Sequence, residues 1–123
     1  MGSEVEHLRK IMDGREETVI AGRTFYAGTI GEAHVVLVCS GSGKVNSAMS
    51  AQILIDRFGV DAISNTGIAG GAKGAKVRDV VISTEAAYHD MEMRLAALSH
   101  PYTERFTADV SLIQKAQKAC ESC

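Results

Sequence analysis

The chain has 123 residues, of which 46% are hydrophobic, and this predicts a single domain over residues 1–123 or part of one. Its 13 basic and 15 acidic residues are scattered and give a net charge of −2, which argues against nucleic acid or an anionic membrane as a partner. No apolar run approaches the roughly 18 residues of a membrane span, the N-terminus is too polar for a signal peptide, and three cysteines do not suit a secreted disulfide framework. We therefore expect a cytoplasmic protein that binds small, nearly neutral ligands.

The first forty residues predict a helix, a hairpin and a buried strand. Residues 4–12 have the apolar spacing of an amphipathic helix. Segments 18–21 and 24–30 are rich in β-branched and aromatic residues and flank a turn at Gly22, which predicts a β-hairpin. The continuous apolar run 35–39 predicts a strand buried on both faces, as in a sheet covered by helices.

A helix and two further strands are predicted next. Residues 44–58 form an amphipathic pattern that ends at Gly59, and segments 62–64 and 78–84 read as strands. Strand, helix and strand with short glycine links form a βαβ crossover, so the sheet is predicted to be partly parallel. A last helix begins near residue 109, whereas residues 85–107 have no clear pattern. In the helix predicted at residues 44–58, the line of side chains expected to face the core is formed by Ala48, Ala51, Ile55 and Phe58.

Two glycine-rich segments follow predicted strands. We call residues 40–43 the first glycine turn and residues 64–71 the second glycine segment. Glycine at this density costs conformational entropy, so it is kept where φ must be positive or where a ligand touches the main chain. Because ligands of open α/β sheets bind outside the carboxyl ends of the strands, we expect both segments to line one pocket.

Other patterns are less specific. The first glycine turn lacks the spacing of a P-loop, but at a helix N-terminus it could still bind a hydroxyl or an anion, or simply be a tight turn. The His, Asp and Glu residues at 89, 90 and 92 do not complete a metal-ligand set, and the C-x-x-C pair at 120 and 123 has no second pair. No metal and no cofactor is therefore predicted. Glu4, taken alone, is a solvated carboxylate that suits the start of a helix.

Five short motifs follow one another over residues 4 to about 93. They are Glu4-Val5-x-x-Leu8, Ser40-Gly41-x-Gly43-Lys44-Val45, Asn65-Thr66-Gly67-x-Ala69-Gly70-Gly71, Arg78-Asp79-Val80-Val81-Ile82-Ser83 and Tyr88-His89-Asp90. Each motif is weak alone, but their order and spacing together resemble those of the nucleoside phosphorylase/hydrolase superfamily, and most closely those of the bacterial 5′-methylthioadenosine/S-adenosylhomocysteine nucleosidases.

This resemblance implies a three-layer α/β/α domain around a mixed, partly parallel sheet, incomplete here, and usually a homodimer. The reaction it implies is hydrolysis of the N-glycosidic bond of 5′-methylthioadenosine or S-adenosylhomocysteine, which releases adenine. In that chemistry a carboxylate on the first helix activates the attacking water, and this role falls on Glu4. The substrate-binding residues that it implies are Ser40, Gly41, Ser42, Ile68, Ala69 and Gly70.

The sequence departs from the family pattern after residue 93. The Met-Glu-Met-Glu stretch that binds the ribose hydroxyls and the Ser-Asp whose carboxyl protonates the purine do not follow there. Met1-Gly2-Ser3 stands where the family has a buried strand, Ser42 replaces an apolar residue and Ile68 replaces a serine. The chain is therefore expected to be the N-terminal half of a nucleosidase, from a truncated, split or decayed gene, with little activity alone.

Two other functions stay open. One is a nucleoside phosphorylase or futalosine hydrolase of the same superfamily; a phosphorylase needs cationic side chains on phosphate, and no arginine occurs in either glycine segment. The other is a non-catalytic nucleoside-binding or assembly module, which would associate through the sheet face that the missing half should cover. An obligate dimer or larger oligomer would indicate the second.

Overall fold

The computed structural model describes residues 2–71 and 74–121, and it divides the chain into two compact units, residues 1–70 and 71–123. The single domain predicted over the whole chain stays a prediction. None of the described helices is long and apolar enough to cross a membrane. In chain order the elements are α1 (Gly2–Lys10), β1 (Asp13–Ile20), β2 (Arg23–Ile30), β3 (Ala33–Val38), α2 (Lys44–Phe58), β4 (Glu85–Ala86), α3 (Met93–Ala97), β5 (Phe106–Thr107) and α4 (Val110–Glu121).

The first unit contains an antiparallel sheet in the order β1-β2-β3. The β1–β2 hairpin confirms the predicted one, and its partners include Thr18 opposite Phe25. Phe25 is in turn opposite Val38 of β3, so it lies in the middle of three strands. The strand predicted at 35–39 is confirmed as β3, but it forms an edge of the sheet and is half-buried at most, rather than buried on both faces.

Helix α2 packs on this sheet through aromatic and aliphatic side chains. The fully buried ring of Phe25 stacks on that of Phe58, with ring centroids 5.2 Å apart. Leu54 and Ser50 are also buried, and the Ser50 hydroxyl is satisfied because it donates to the Asn46 carbonyl at 2.9 Å. These contacts fix the position of α2, and therefore of the glycine turn that precedes it.

The predicted extent of α2 is confirmed, but the predicted core-facing line is partly wrong. Ile55 is 50% exposed and Ala48 is exposed, whereas Ser50 and Leu54 face the core. Apolar residues occur around most of the circumference of α2, so the spacing was compatible with more than one buried face. The helix ends as predicted at Gly59, whose N–H donates to the Ile55 carbonyl at 3.1 Å.

No strand forms between residues 60 and 84 of the described chain, so the strands predicted at 62–64 and 78–84 are wrong. A strand requires a hydrogen-bonded neighbour, and no described strand pairs with either segment. Apolar side chains there stay exposed, as in Val77, which is 95% exposed. All described strand pairs are antiparallel, so the parallel pairing of the predicted βαβ crossover is not found among them.

The second unit contains the segment that had no clear pattern. β4 pairs with β5 in an antiparallel ladder of two residues each, and the Arg105 guanidinium forms an ion pair with the Glu85 carboxylate. The last helix is confirmed as α4, and the Asp109 carboxylate accepts the N–H of Leu112 at 3.0 Å at its start. No described residue of α4 is buried, and Ile113 and Ala116 are half-buried at most.

Candidate functional site

A cavity of about 940 Å³ lies in the first unit. Its size is within the range of roughly 300–1,000 Å³ that is typical of ligand sites. Its walls come from all three strands of the sheet, the segment 59–66, Val5 and Leu8 of α1, and Leu54 and Phe58 of α2, and they include the acidic residues Asp13, Glu16 and Asp61. The lining is nevertheless largely apolar, as in most sites for small organic ligands.

Residues of both glycine segments line this cavity. Ser40 and Gly41 come from the first glycine turn, and residues 64–66 come from the second glycine segment. The two segments thus meet at one cavity, as the sequence predicted. Ser42 and residues 68–70 are not among its lining residues. The substrate contacts predicted for all six residues stay predictions.

Glu4 belongs to α1, but its side chain is not among those that the structure describes. The next residues on the same helix, Val5 and Leu8, line the cavity. The helix that carries Glu4 is therefore next to the cavity. The water-activating role of Glu4 stays a prediction.

The first glycine turn has a backbone that few residues other than glycine adopt. Gly41 has a φ of 80°, and Gly43 has a φ of 93° with a ψ of 157°. Helix α2 begins directly after Gly43 without a side-chain cap, and its first hydrogen bond runs from the Ser47 N–H to the Gly43 carbonyl at 3.1 Å. The N–H groups of Val45 and Asn46 precede that bond, so no helical carbonyl accepts them. Such groups suit an anion or a hydroxyl oxygen.

The second glycine segment is different, because its glycines have ordinary backbone angles. Neither Gly67 nor Gly70 has a positive φ, and no described atom lies within 4 Å of a Cβ placed on either. The explanation of these glycines by positive φ is therefore wrong. The other explanation, close approach of a ligand to the backbone, stays a prediction.

Arg23 is a residue of this region that sequence reasoning missed. Its Nε donates to the Ser40 carbonyl at 3.2 Å, and its Nη2 donates to Asn46 Oδ1 at 2.7 Å. No arginine occurs within the first glycine turn, but the hairpin brings this one beside it. The antiparallel register could have indicated this, since pairing Phe25 with Val38 puts Arg23 level with Ser40.

Comparison with known proteins decides the family. Residues 1–122 match the sequence model of the phosphorylase superfamily. The chain belongs to this superfamily. Over 124 residues it is 45% identical to the 5′-methylthioadenosine/S-adenosylhomocysteine nucleosidase of Anoxybacillus flavithermus, with 95% of this chain and 53% of that protein covered.

Solved structures of such nucleosidases resemble this superfamily member closely. The enzyme from Neisseria meningitidis, in complex with methylthio-immucillin-A, matches with a TM-score of 0.90 at 37% identity, over 99% of this chain and 55% of that chain. The Streptococcus pneumoniae nucleosidase, in complex with 8-aminoadenine, matches with a TM-score of 0.84 at 41% identity, over 96% and 55%. The predicted family resemblance and α/β fold class are confirmed. The chain spans about half the length of the relatives it matches.

Proposed function

We propose that this chain supplies the nucleoside-binding half of an N-glycosyl hydrolase that releases adenine from 5′-methylthioadenosine or S-adenosylhomocysteine. The observation that carries the proposal is the single cavity at which α1 and both glycine segments meet. The similar nucleosidases have structures that contain methylthio-immucillin-A or 8-aminoadenine. Ligands of that kind need a largely apolar cavity with a few polar groups, and this cavity is lined by both kinds of residue.

The chemistry needs an oriented water, stabilisation of positive charge on the sugar and a proton donor for the departing purine. In this proposal Glu4 orients the water. Main-chain groups at Ser40, Gly41 and Ser42 bind sugar oxygens, and Ile68, Ala69 and Gly70 bring the backbone close to the nucleoside. The open space at Gly67 and Gly70 supports such an approach.

No residue of this chain is assigned the proton-donor role. Loss of a general acid lowers a rate by about 10²–10⁴-fold, so turnover by this chain alone is expected to be weak. A second polypeptide carrying the donor would restore it. A homodimer, which the family resemblance implies, and a cytoplasmic location, which the sequence predicts, belong to the same proposal.

The test is calorimetric titration of the purified chain with adenine and with 5′-methylthioadenosine, with light scattering to measure its mass. We expect each chain to bind one ligand. Gly67→Val should weaken binding at least tenfold without unfolding the chain, because the added side chain would enter open space. Ala87→Val, which adds bulk at an exposed position of the second unit, should leave binding unchanged.

Absence of binding by the folded chain would refute the proposal. Release of adenine that requires inorganic phosphate would favour a phosphorylase instead. Turnover within the usual enzyme range of about 1–10³ s⁻¹ would show that the expected weakness is wrong.

A non-catalytic assembly module is the second candidate, and exposed apolar surface favours it. β3 has no strand on its outer edge among the described residues. Val77 is 95% exposed, and Val80 and Val81 are each 77% exposed. Free strand edges and exposed apolar side chains promote association. A defined oligomer that binds no nucleoside would support this candidate.

A further inference from the structure

The guanidinium of Arg23 connects the β1–β2 hairpin to the first glycine turn. Arg23 is half-buried at the start of β2. Its Nε donates to the Ser40 carbonyl at 3.2 Å, its Nη2 donates to Asn46 Oδ1 at 2.7 Å, and its Nη1 lies 3.8 Å from Met49 Sδ. All three nitrogens therefore contact protein atoms, so the side chain is held in one position.

Asn46 extends this network to the other side of the turn. Its Nδ2 donates to the Ser42 carbonyl at 2.6 Å, while its Oδ1 accepts from Arg23. The two bonds agree on the orientation of the amide, because only oxygen accepts and only nitrogen donates. One connected network thus binds the carbonyls of Ser40 and Ser42, on either side of Gly41.

Binding these carbonyls also fixes two N–H groups. A peptide unit is planar and trans, so the N–H of Gly41 points opposite to the Ser40 carbonyl, and that of Gly43 opposite to the Ser42 carbonyl. Glycine has more backbone freedom than any other residue. Without the network, these two N–H groups would sample several directions.

We propose that Arg23 is a positioning residue, which acts through Ser40 and Asn46 to hold the N–H groups of Gly41 and Gly43 each in a fixed orientation, so that Gly41, which lines the cavity, can donate to a ligand oxygen. The identity of that ligand rests on the proposed function, whereas the ordering of the turn does not. The role differs from that of a phosphate-binding arginine, because the guanidinium is directed at protein oxygens.

The test measures backbone motion and ligand affinity in the same variants. ¹⁵N relaxation gives order parameters for the N–H groups of Gly41 and Gly43 in the free chain, expected near 0.85 in the wild type and below about 0.6 in Arg23→Met. The affinity for 5′-methylthioadenosine should fall at least tenfold in Arg23→Met. The order parameters and the affinity of Arg23→Lys should lie between those of the wild type and those of Arg23→Met, because an ammonium lacks the planar fork that reaches both acceptors.

Three further variants test whether the effect comes from this network. Asn46→Ala removes the other half of the network and should give the same effects. The double variant with Arg23→Met should be no worse than either single variant, because the two side chains act as one unit. If Arg23→Met fails to fold, Asn46→Ala and Arg23→Lys give the same readouts. Arg57→Met replaces an exposed arginine at the other end of α2 and should change neither motion nor affinity.

Unchanged order parameters in both Arg23→Met and Asn46→Ala would overturn the proposal. So would a mobile turn with unchanged affinity, or an affinity loss seen only when phosphate is present. A wild type that binds no nucleoside, with a turn that becomes mobile in the variants, would refute the proposed function while supporting the ordering role of Arg23.

Discussion

The two glycine segments meet at one cavity, but the protein orders them in different ways. The first glycine turn has positive φ angles and is bound on both sides by Arg23 and Asn46. Residues 61–71, which include the whole second glycine segment, form no backbone–backbone hydrogen bond with any described residue. Among the described residues, the first glycine turn is therefore the segment whose carbonyls are bound by side chains from elsewhere in the fold.

Removal of the core that packs α2 against the sheet should have the largest effect. Phe25→Ala deletes a fully buried ring that stacks on Phe58, and such changes cost about 3–5 kcal/mol of unfolding free energy. Urea denaturation of the wild type and the variant measures the loss. Ile68→Ala in the second glycine segment is the control; its side chain is 77% exposed, so a change within about 0.5 kcal/mol is expected. Similar losses in both variants would contradict the difference between the segments.

Alanine substitutions compare the two segments directly. Gly43→Ala forces a side chain onto a φ of 93° and a ψ of 157°, which should cost about 1–3 kcal/mol of unfolding free energy. Gly67→Ala has ordinary φ and open space, so it should stabilise the chain by about 0.4–1 kcal/mol by restricting the unfolded state. Thermal unfolding measures both. Destabilisation by Gly67→Ala would mean that the second segment is also constrained.

The smallest expected effect is the pH dependence of the start of α4, compared with the start of α2. α2 has no side-chain cap, whereas the carboxylate of Asp109 accepts the Ser111 hydroxyl at 2.5 Å and the Leu112 N–H at 3.0 Å at the start of α4. These bonds, the hydroxyl first, lower the pKa of Asp109 below its ordinary value. The stabilisation by the Asp109 carboxylate is therefore fully present at a pH above its ordinary pKa, and it is lost as the pH falls through its lowered pKa.

Backbone amide shifts recorded during an acid titration measure this effect. Residues 110–113 should lose helical character in that pH range, and the start of α2 should not respond. Asp109→Asn should remove this pH dependence, since its amide does not titrate there. An equal response at the two helix starts would argue that acid acts on the whole chain rather than on this cap.

The parts of the fold that follow from neighbouring residues were predictable. The β1–β2 hairpin, α2 and its end at Gly59 depend on alternation, helical spacing and turn residues within a few positions. The strands predicted at 62–64 and 78–84 depend on a distant partner, and the described chain does not provide one. The buried face of α2 was also ambiguous, because only its contact with Phe25 selects one of several apolar faces.

The sequence by itself determined the family, the early elements and the positions of the glycine segments, because each depends on residue identity and short spacing. The sequence also predicted that both segments line one pocket, but only the tertiary structure showed that Val5 and Leu8 of α1 line it too and that Arg23 reaches the Ser40 carbonyl. These contacts join residues that are far apart in the chain. They depend on strand register and helix packing, which cooperative burial of side chains such as Phe25 and Leu54 decides.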